Sequence, residues 1–211
     1  MKTLGIDVGS SSIKISVMDV ASGQCAGSVT LPDKELAIDA DQPGWAEQSP
    51  QMWWEYVCAG IKQLGGTLSM GDVAAIGITY QMHGLVCLDK EGVPLRKSII
   101  WCDSRAVEIG AEALEKIGRE SCLQRTLNSP GNFTASKLAW VKRHEPALFQ
   151  KINKFMLPGD YIAYMLSGDI STTTSGPHDP TLLNPKTDVR AHSVLPSSGS
   201  RSQMLREHHH T

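Results

Sequence analysis

The sequence has no C-x-x-C pair, no excess of charge and no apolar run long enough to cross a membrane, and each absence argues against a class of function. Its five cysteines, Cys25, Cys58, Cys87, Cys102 and Cys122, are odd in number and widely spaced. That argues against a zinc site and reads as reduced thiols in a cytoplasmic protein. A net charge of −2 gives no electrostatic case for nucleic acid or for an anionic membrane surface. No signal-peptide pattern follows Lys2. Neither common phosphate loop is there, since the chain holds no G-x-x-x-x-G-K-[ST] and no G-x-G-x-x-G opening a helix. There is no internal repeat. What remains is ordinary globular composition, 41% apolar and 20% charged over 211 residues, enough for one large domain or two small ones around a buried core.

The most informative stretch is the first, Leu4 to Lys14. An apolar strand runs into Asp7, Gly9 and the hydroxyls of Ser10, Ser11 and Ser12, and a second strand then begins with Ile13 and Lys14. Gly9 would let the backbone turn with its N–H groups outward, so that a phosphate oxygen meets no Cβ. Asp7 cannot face phosphate directly, but a carboxylate there suits the water shell of a Mg²⁺ ion. A plain hairpin with a Gly-Ser turn explains the same residues equally well.

Hydrophobic spacing supplies the frame. Thr3 to Val8, Ile13 to Met18 and Cys25 to Leu31 read as successive strands, hence an antiparallel meander. Ser49-Pro50 starts a helix whose face is Trp53, Val57, Ile61 and Leu64, stopped by Gly65-Gly66. Val73 to Thr79 is apolar and β-branched, as a buried strand is. Leu85 to Leu88, Ser98 to Trp101 and Lys154 to Leu157 read as further strands. Helices are expected from a Ser104 cap to Ile117, from Thr134 or Ser136 through Val141, and from Tyr161 to Leu166.

Two strand ends carry chemistry. Gln81, Met82, His83 and Gly84 follow the Val73 strand, where ligands bind in α/β sheets. Trp101, Asp103 and Arg105 follow another, offering an aromatic face for a sugar, a carboxylate for two hydroxyls and a guanidinium to orient it. The alternative is a helix N-terminus with Asp103 and Ser104 as caps and Trp101 in the core. Asn132 to Trp140 reads as a capped helix with a buried face.

Taken in order, D-x-G-S-S-S-x-K at Asp7 to Lys14, G-W-A-E-Q at Gly44 to Gln48, P-x-x-W-W at Pro50 to Trp54, Q-M-H-G at Gln81 to Gly84, W-x-D-x-R at Trp101 to Arg105 and L-P-G-D-Y at Leu157 to Tyr161 resemble the FGGY family of carbohydrate kinases, nearest its xylulokinase branch. The resemblance covers residues 1 to about 175. It implies an α/β domain of the actin/Hsp70/hexokinase type (ribonuclease H-like), with a three-stranded antiparallel meander followed by alternating helices and strands in a mixed sheet. The activity it implies is ATP-dependent phosphorylation of a ketopentose, xylulose to xylulose 5-phosphate, with ATP and Mg²⁺ as cofactors. Its partners would be a small sugar and ATP, with no nucleic acid and no membrane, and a homodimer is a candidate assembly. Residue by residue, Asp7 would hold Mg²⁺ through water, and Gly9, Ser10, Ser11, Ser12 and Lys14 would face phosphate. Gln81, Met82, His83, Trp101, Asp103 and Arg105 would surround the sugar. The family's catalytic base is an aspartate in a glycine-rich stretch that this sequence does not contain, so no catalytic residue is named.

The character changes after Gly176, where four prolines, Ser197 to Ser200 and His208 to His210 interrupt all periodicity. Residues 1–175 are therefore expected to form the sugar-binding N-terminal domain, and 176–211 a poorly ordered tail outside the family's sequence, through truncation, a shifted frame or cloning. On that expectation the polypeptide alone is inactive. The rival readings are a non-catalytic sugar-binding or regulatory module, a nucleotide-binding protein of the actin/Hsp70 class, and an inert fragment that self-associates through a bare apolar face.

Overall fold

Strict alternation builds the first sheet. In β1 (Lys2–Val8) Leu4, Ile6 and Val8 are buried while Gly5 and Asp7 are exposed, and in β2 (Ile13–Asp19) Ile13, Ile15 and Val17 turn to the same core. β3 (Cys25–Leu31) completes the expected antiparallel meander. After β4 (Glu47–Gln48) comes α1 (Pro50–Gly65), capped by Ser49 Oγ accepting from Met52 N at 3.3 Å. Its Trp53, Val57 and Leu64 pack onto the sheet. The computed structural model describes residues 1–126 and 128–172, together with the pairs 183–184, 189–190 and 207–208.

β5 (Val73–Tyr80) runs parallel to β1, and the sheet order is β3-β2-β1-β5. It is not the buried strand that its composition suggests. Gly77 and Thr79 share a bare face with Gly5 and Asp7, and Ile76, on the helix-bearing side, is still 47% exposed. The cause is position: β5 is the edge of the sheet, and α1 lies over β2 and β3.

A second core lies beyond the sheet. β6 (Val86–Leu88) pairs antiparallel with β8 (Lys154–Met156), and β4 with β7 (Ser98–Ile99). Val86 and Leu88 face the first core while Leu85 and Cys87 face the second, so this strand is buried on both sides. α2 (Val107–Ile117), α4 (Thr134–His144) and α5 (Pro146–Phe149) close the second core through Ile109, Leu138, Val141 and Phe149. α6 (Pro158–Ser167) packs against α1 and β5 and ends at Gly168 with φ 78°.

One local expectation is corrected, and one helix has no counterpart in the sequence reading. Ser104 does not cap α2; its Oγ donates instead to Gly44 O at 3.1 Å, and the helix begins after Ala106 without a side-chain cap. α3 (Arg119–Thr126) was not legible, because its buried Cys122 makes no apolar period. The expected tail, 176–211, lies outside the described residues apart from the three pairs named above. Among the described residues no helix is long and apolar enough to cross a membrane.

Candidate functional site

The site forms where β1, β5 and β7 end, and β4 runs through its floor. The turn between β1 and β2 is closed by Gly9 N–H donating to Ser12 O at 3.0 Å. A Cβ on Gly9 would stand 2.9 Å from that same oxygen, which is why glycine occupies the position. The Gly9 amide therefore points into the turn and not outward. The turn presents its serine hydroxyls instead, with Ser11 exposed. At its base Asp7 and Lys14 are register partners across the two strands. Both line an open groove of about 500 Å³ on the bare sheet face, with Ser16, Gly77 and Thr79 beside them.

Gln81 to Gly84 leaves β5 with Gln81 N donating to Val8 O at 2.9 Å, so this segment is pinned to the strand that feeds the turn. Met82 is 51% exposed, and His83 adopts φ 60°, a left-handed conformation that costs a non-glycine residue about 1–2 kcal/mol. Two contacts over-determine it. The His83 ring lies 4.1 Å from the Phe133 ring, and the fully buried Lys137 donates from Nζ to His83 O at 2.7 Å and to Ile100 O at 2.9 Å. Gly84 lets the chain pass the start of α6, since a Cβ there would meet Pro158 Cγ at 2.5 Å.

Trp101 is not core. It is 52% exposed, and its indole Nε1–H donates to Ser10 Oγ at 3.3 Å, joining the second strand end to the serine turn. Beside it, burial pushes the Cys102 thiol above its ordinary pKa, with the Asp103 charge adding to the shift, so this thiol is not an activated nucleophile.

Asp103 and Arg105 do not line the surface as expected. Asp103 is fully buried and accepts from Ala46 N at 2.6 Å, from Arg105 N and Nε at 2.9 Å, and from Arg105 Nη2 at 2.6 Å. The Arg105 side chain is 1% exposed, lies 3.8 Å over the Trp45 ring, and its Nη1 is 2.6 Å from Glu47 Oε1, close enough for an ion pair but off the line of a hydrogen bond. Glu47 also pairs with Arg96, which in turn holds Glu145. Asn132 Nδ2 donates to Asp103 O. The physical reason is charge: a buried carboxylate and guanidinium persist by satisfying each other, which leaves little of either for a ligand.

Four further residues organise the site: Glu47, Gln48, Asn132 and Lys137. Gln48 is fully buried, donates from Nε2 to Ser10 O at 2.7 Å and Ala37 O at 3.3 Å, and accepts at Oε1 from Trp53 Nε1 at 3.2 Å and Gln81 Nε2 at 3.1 Å. For Lys137 a signal was available: it falls on the apolar face of α4, in step with Thr134, Leu138 and Val141, where a lysine has no ordinary place. For Gln48 there was none beyond its motif.

The chain matches a model of the N-terminal domain of the FGGY family of carbohydrate kinases over residues 2–188. Among curated relatives, xylulose kinase of Escherichia coli (strain K12) is 35% identical over 172 residues, 82% of this chain and 34% of that protein. Xylulose kinase of Staphylococcus epidermidis is 37% identical over 185 residues, 87% of this chain and 36% of that protein. The solved structure of a xyloylose kinase from Brucella ovis superposes with a TM-score of 0.90 at 29% identity, covering 99% of this chain and 43% of that one. The chain thus spans little more than a third of the curated relatives it matches.

Proposed function

Because the chain belongs to the FGGY family of carbohydrate kinases, we propose that it supplies the sugar-binding wall of an ATP-dependent kinase acting on a ketopentose, with xylulose as the substrate. One observation carries the reading. Trp101, Ser10, Gln48 and Gln81 form a continuous hydrogen-bonded chain, so the serine turn and the Gln81 and Trp101 segments converge on one rim, joined below it by the buried Gln48. The exposed indole face of Trp101 suits the C–H side of a sugar, and Met82 and His83 beside Gln81 supply apolar and polar contacts to it. Asp103 and Arg105 act behind that rim, holding the segment that carries Trp101.

The donor set next to the rim fits a nucleotide's terminal phosphates with Mg²⁺. Ser10, Ser11 and Ser12 offer hydroxyls, Lys14 a positive charge, and Asp7 a carboxylate suited to the ion's water shell. Bound there, Mg²⁺ would neutralise phosphate charge during transfer. The chain's own residues position the acceptor sugar and hold the turn in place. Phosphoryl transfer depends on positioning and charge neutralisation in a closed cleft, and this polypeptide holds one wall and an edge of the other.

The 211-residue chain alone is expected to bind D-xylulose and to release no ADP at enzymatic rates. Calorimetry with D-xylulose, run beside a coupled ADP-release assay, tests both parts. Absence of sugar binding would overturn the assignment of the rim, and turnover near the rates of ordinary kinases would overturn the expected inactivity.

A further inference from the structure

Gln48 sits between the two halves of the site without reaching either ligand position. β4 is two residues long, and its successive side chains turn to opposite sides, Glu47 to Arg96 and Arg105, Gln48 to Ser10, Trp53 and Gln81. The orientation of the Gln48 amide follows from its partners. Two backbone carbonyls, Ser10 O and Ala37 O, require the NH₂ group on one side, and the Trp53 indole, a donor only, requires the oxygen on the other. Gln81 must then present its own NH₂ to Gln48 Oε1, which fixes the Gln81 side chain and leaves Gln81 Oε1 with no hydrogen-bond partner among the described residues.

We propose that Gln48 is a positioning residue that holds the segment Gln81–Gly84 in fixed register with the serine turn Gly9–Ser12. Its functional consequence rests on the sugar-kinase reading. All four hydrogen-bonding positions of the Gln48 amide, two N–H and two lone pairs, are matched to a partner, and the two segments it joins are those assigned to sugar and to phosphate. The backbone joins the strands that carry them, through the β1–β5 register up to Val8 and Tyr80 and the bond from Gln81 N to Val8 O. Gln48 adds the side-chain tie that sets where Gln81 and Ser10 stand relative to each other.

The test compares the wild-type chain with Gln48→Met and Gln48→Glu. It reads D-xylulose affinity by calorimetry, backbone amide shifts at Ser10–Ser12 and Gln81–Gly84 by NMR, and the thermal midpoint. Gln48→Met keeps the volume and removes all four hydrogen bonds, and is expected to weaken xylulose binding about ten- to hundred-fold at every pH. Gln48→Glu carries its charge against two carbonyl oxygens at about pH 8 and loses affinity likewise. Once protonated, near pH 5.5, the carboxyl donates one hydrogen bond and accepts another, and affinity returns to within about fivefold of wild type. A merely structural role would give affinity losses that follow the thermal midpoint in both variants and at both pH values, and that result overturns the proposal. So do unchanged affinities in both variants. If the wild-type chain binds no xylulose, the sugar-site reading falls, and the NMR arm then decides the inference alone. Concerted shifts in both segments uphold it, and shifts confined to β4 and its immediate neighbours overturn it.

Discussion

Replacing Lys137 with methionine separates what holds the fold from what shapes the site. The ammonium is fully buried and donates to His83 O and Ile100 O, and losing charge-assisted bonds of this kind costs about 1.5–3 kcal/mol each. Against that, removing an ammonium from a dry interior recovers several kcal/mol of desolvation, while methionine keeps most of the apolar stem. The opposing contributions are of similar size. The folded state should therefore shift by no more than about 2 kcal/mol, on the order of 4–8 °C in thermal midpoint for a chain of this length. The site should respond more sharply. His83 holds φ 60° at a cost of about 1–2 kcal/mol, and without Lys137 at its carbonyl the residue relaxes toward an extended conformation. Met82 and His83 then leave the rim, and D-xylulose affinity is expected to fall about tenfold, since 1.4 kcal/mol is one decade in Kd. Titration calorimetry and thermal melts on the same preparations measure both quantities. A Lys137→Met chain that binds xylulose as tightly as wild type would refute the reasoning, and a midpoint lowered by more than about 15 °C would show that the bonds support the fold and not the loop.

Asp103→Asn leaves the buried Arg105 with Glu47 as its remaining carboxylate and should destabilise the chain by about 3–5 kcal/mol, read as a lower urea midpoint at constant slope. An unchanged midpoint with lost xylulose affinity would instead return Asp103 to the sugar hydroxyls. Burial pushes the Cys87 thiol up to about 12 from an ordinary 9.0. The folded chain thus keeps a proton that the unfolded chain releases between those values. This group's contribution is complete below about pH 9 and is lost with rising pH at about 1.4 kcal/mol per unit, so Cys87→Ala should flatten the alkaline limb of the stability curve. An unaltered limb would show that other groups control it.

Much of this protein follows from its sequence alone. The meander, the Ser49-capped helix and the helix through Leu138 rest on alternation, a cap and a 3.6-residue period, all local properties of the chain. The motif order from Asp7 to Tyr161 likewise needed no coordinates, and the family match over residues 2–188 agrees with it. Tertiary structure decided what each motif does. β5 has the composition of a buried strand but lies at a sheet edge, because burial depends on which elements cover a strand and not on what it is made of. Asp103 and Arg105 have the chemistry of sugar ligands but face each other below the surface, because a charge deprived of water takes the nearest opposite charge. Gln48 and Lys137 have no local signature that predicts their partners. Their hydrogen bonds span 33 to 54 residues to Gln81, Ser10, Ile100 and His83, and only the folded chain brings those groups together. The serine turn from Gly9 to Ser12 was legible as a turn. Its place on one rim with Trp101 and Gln81 came from the packing of strands distant in sequence.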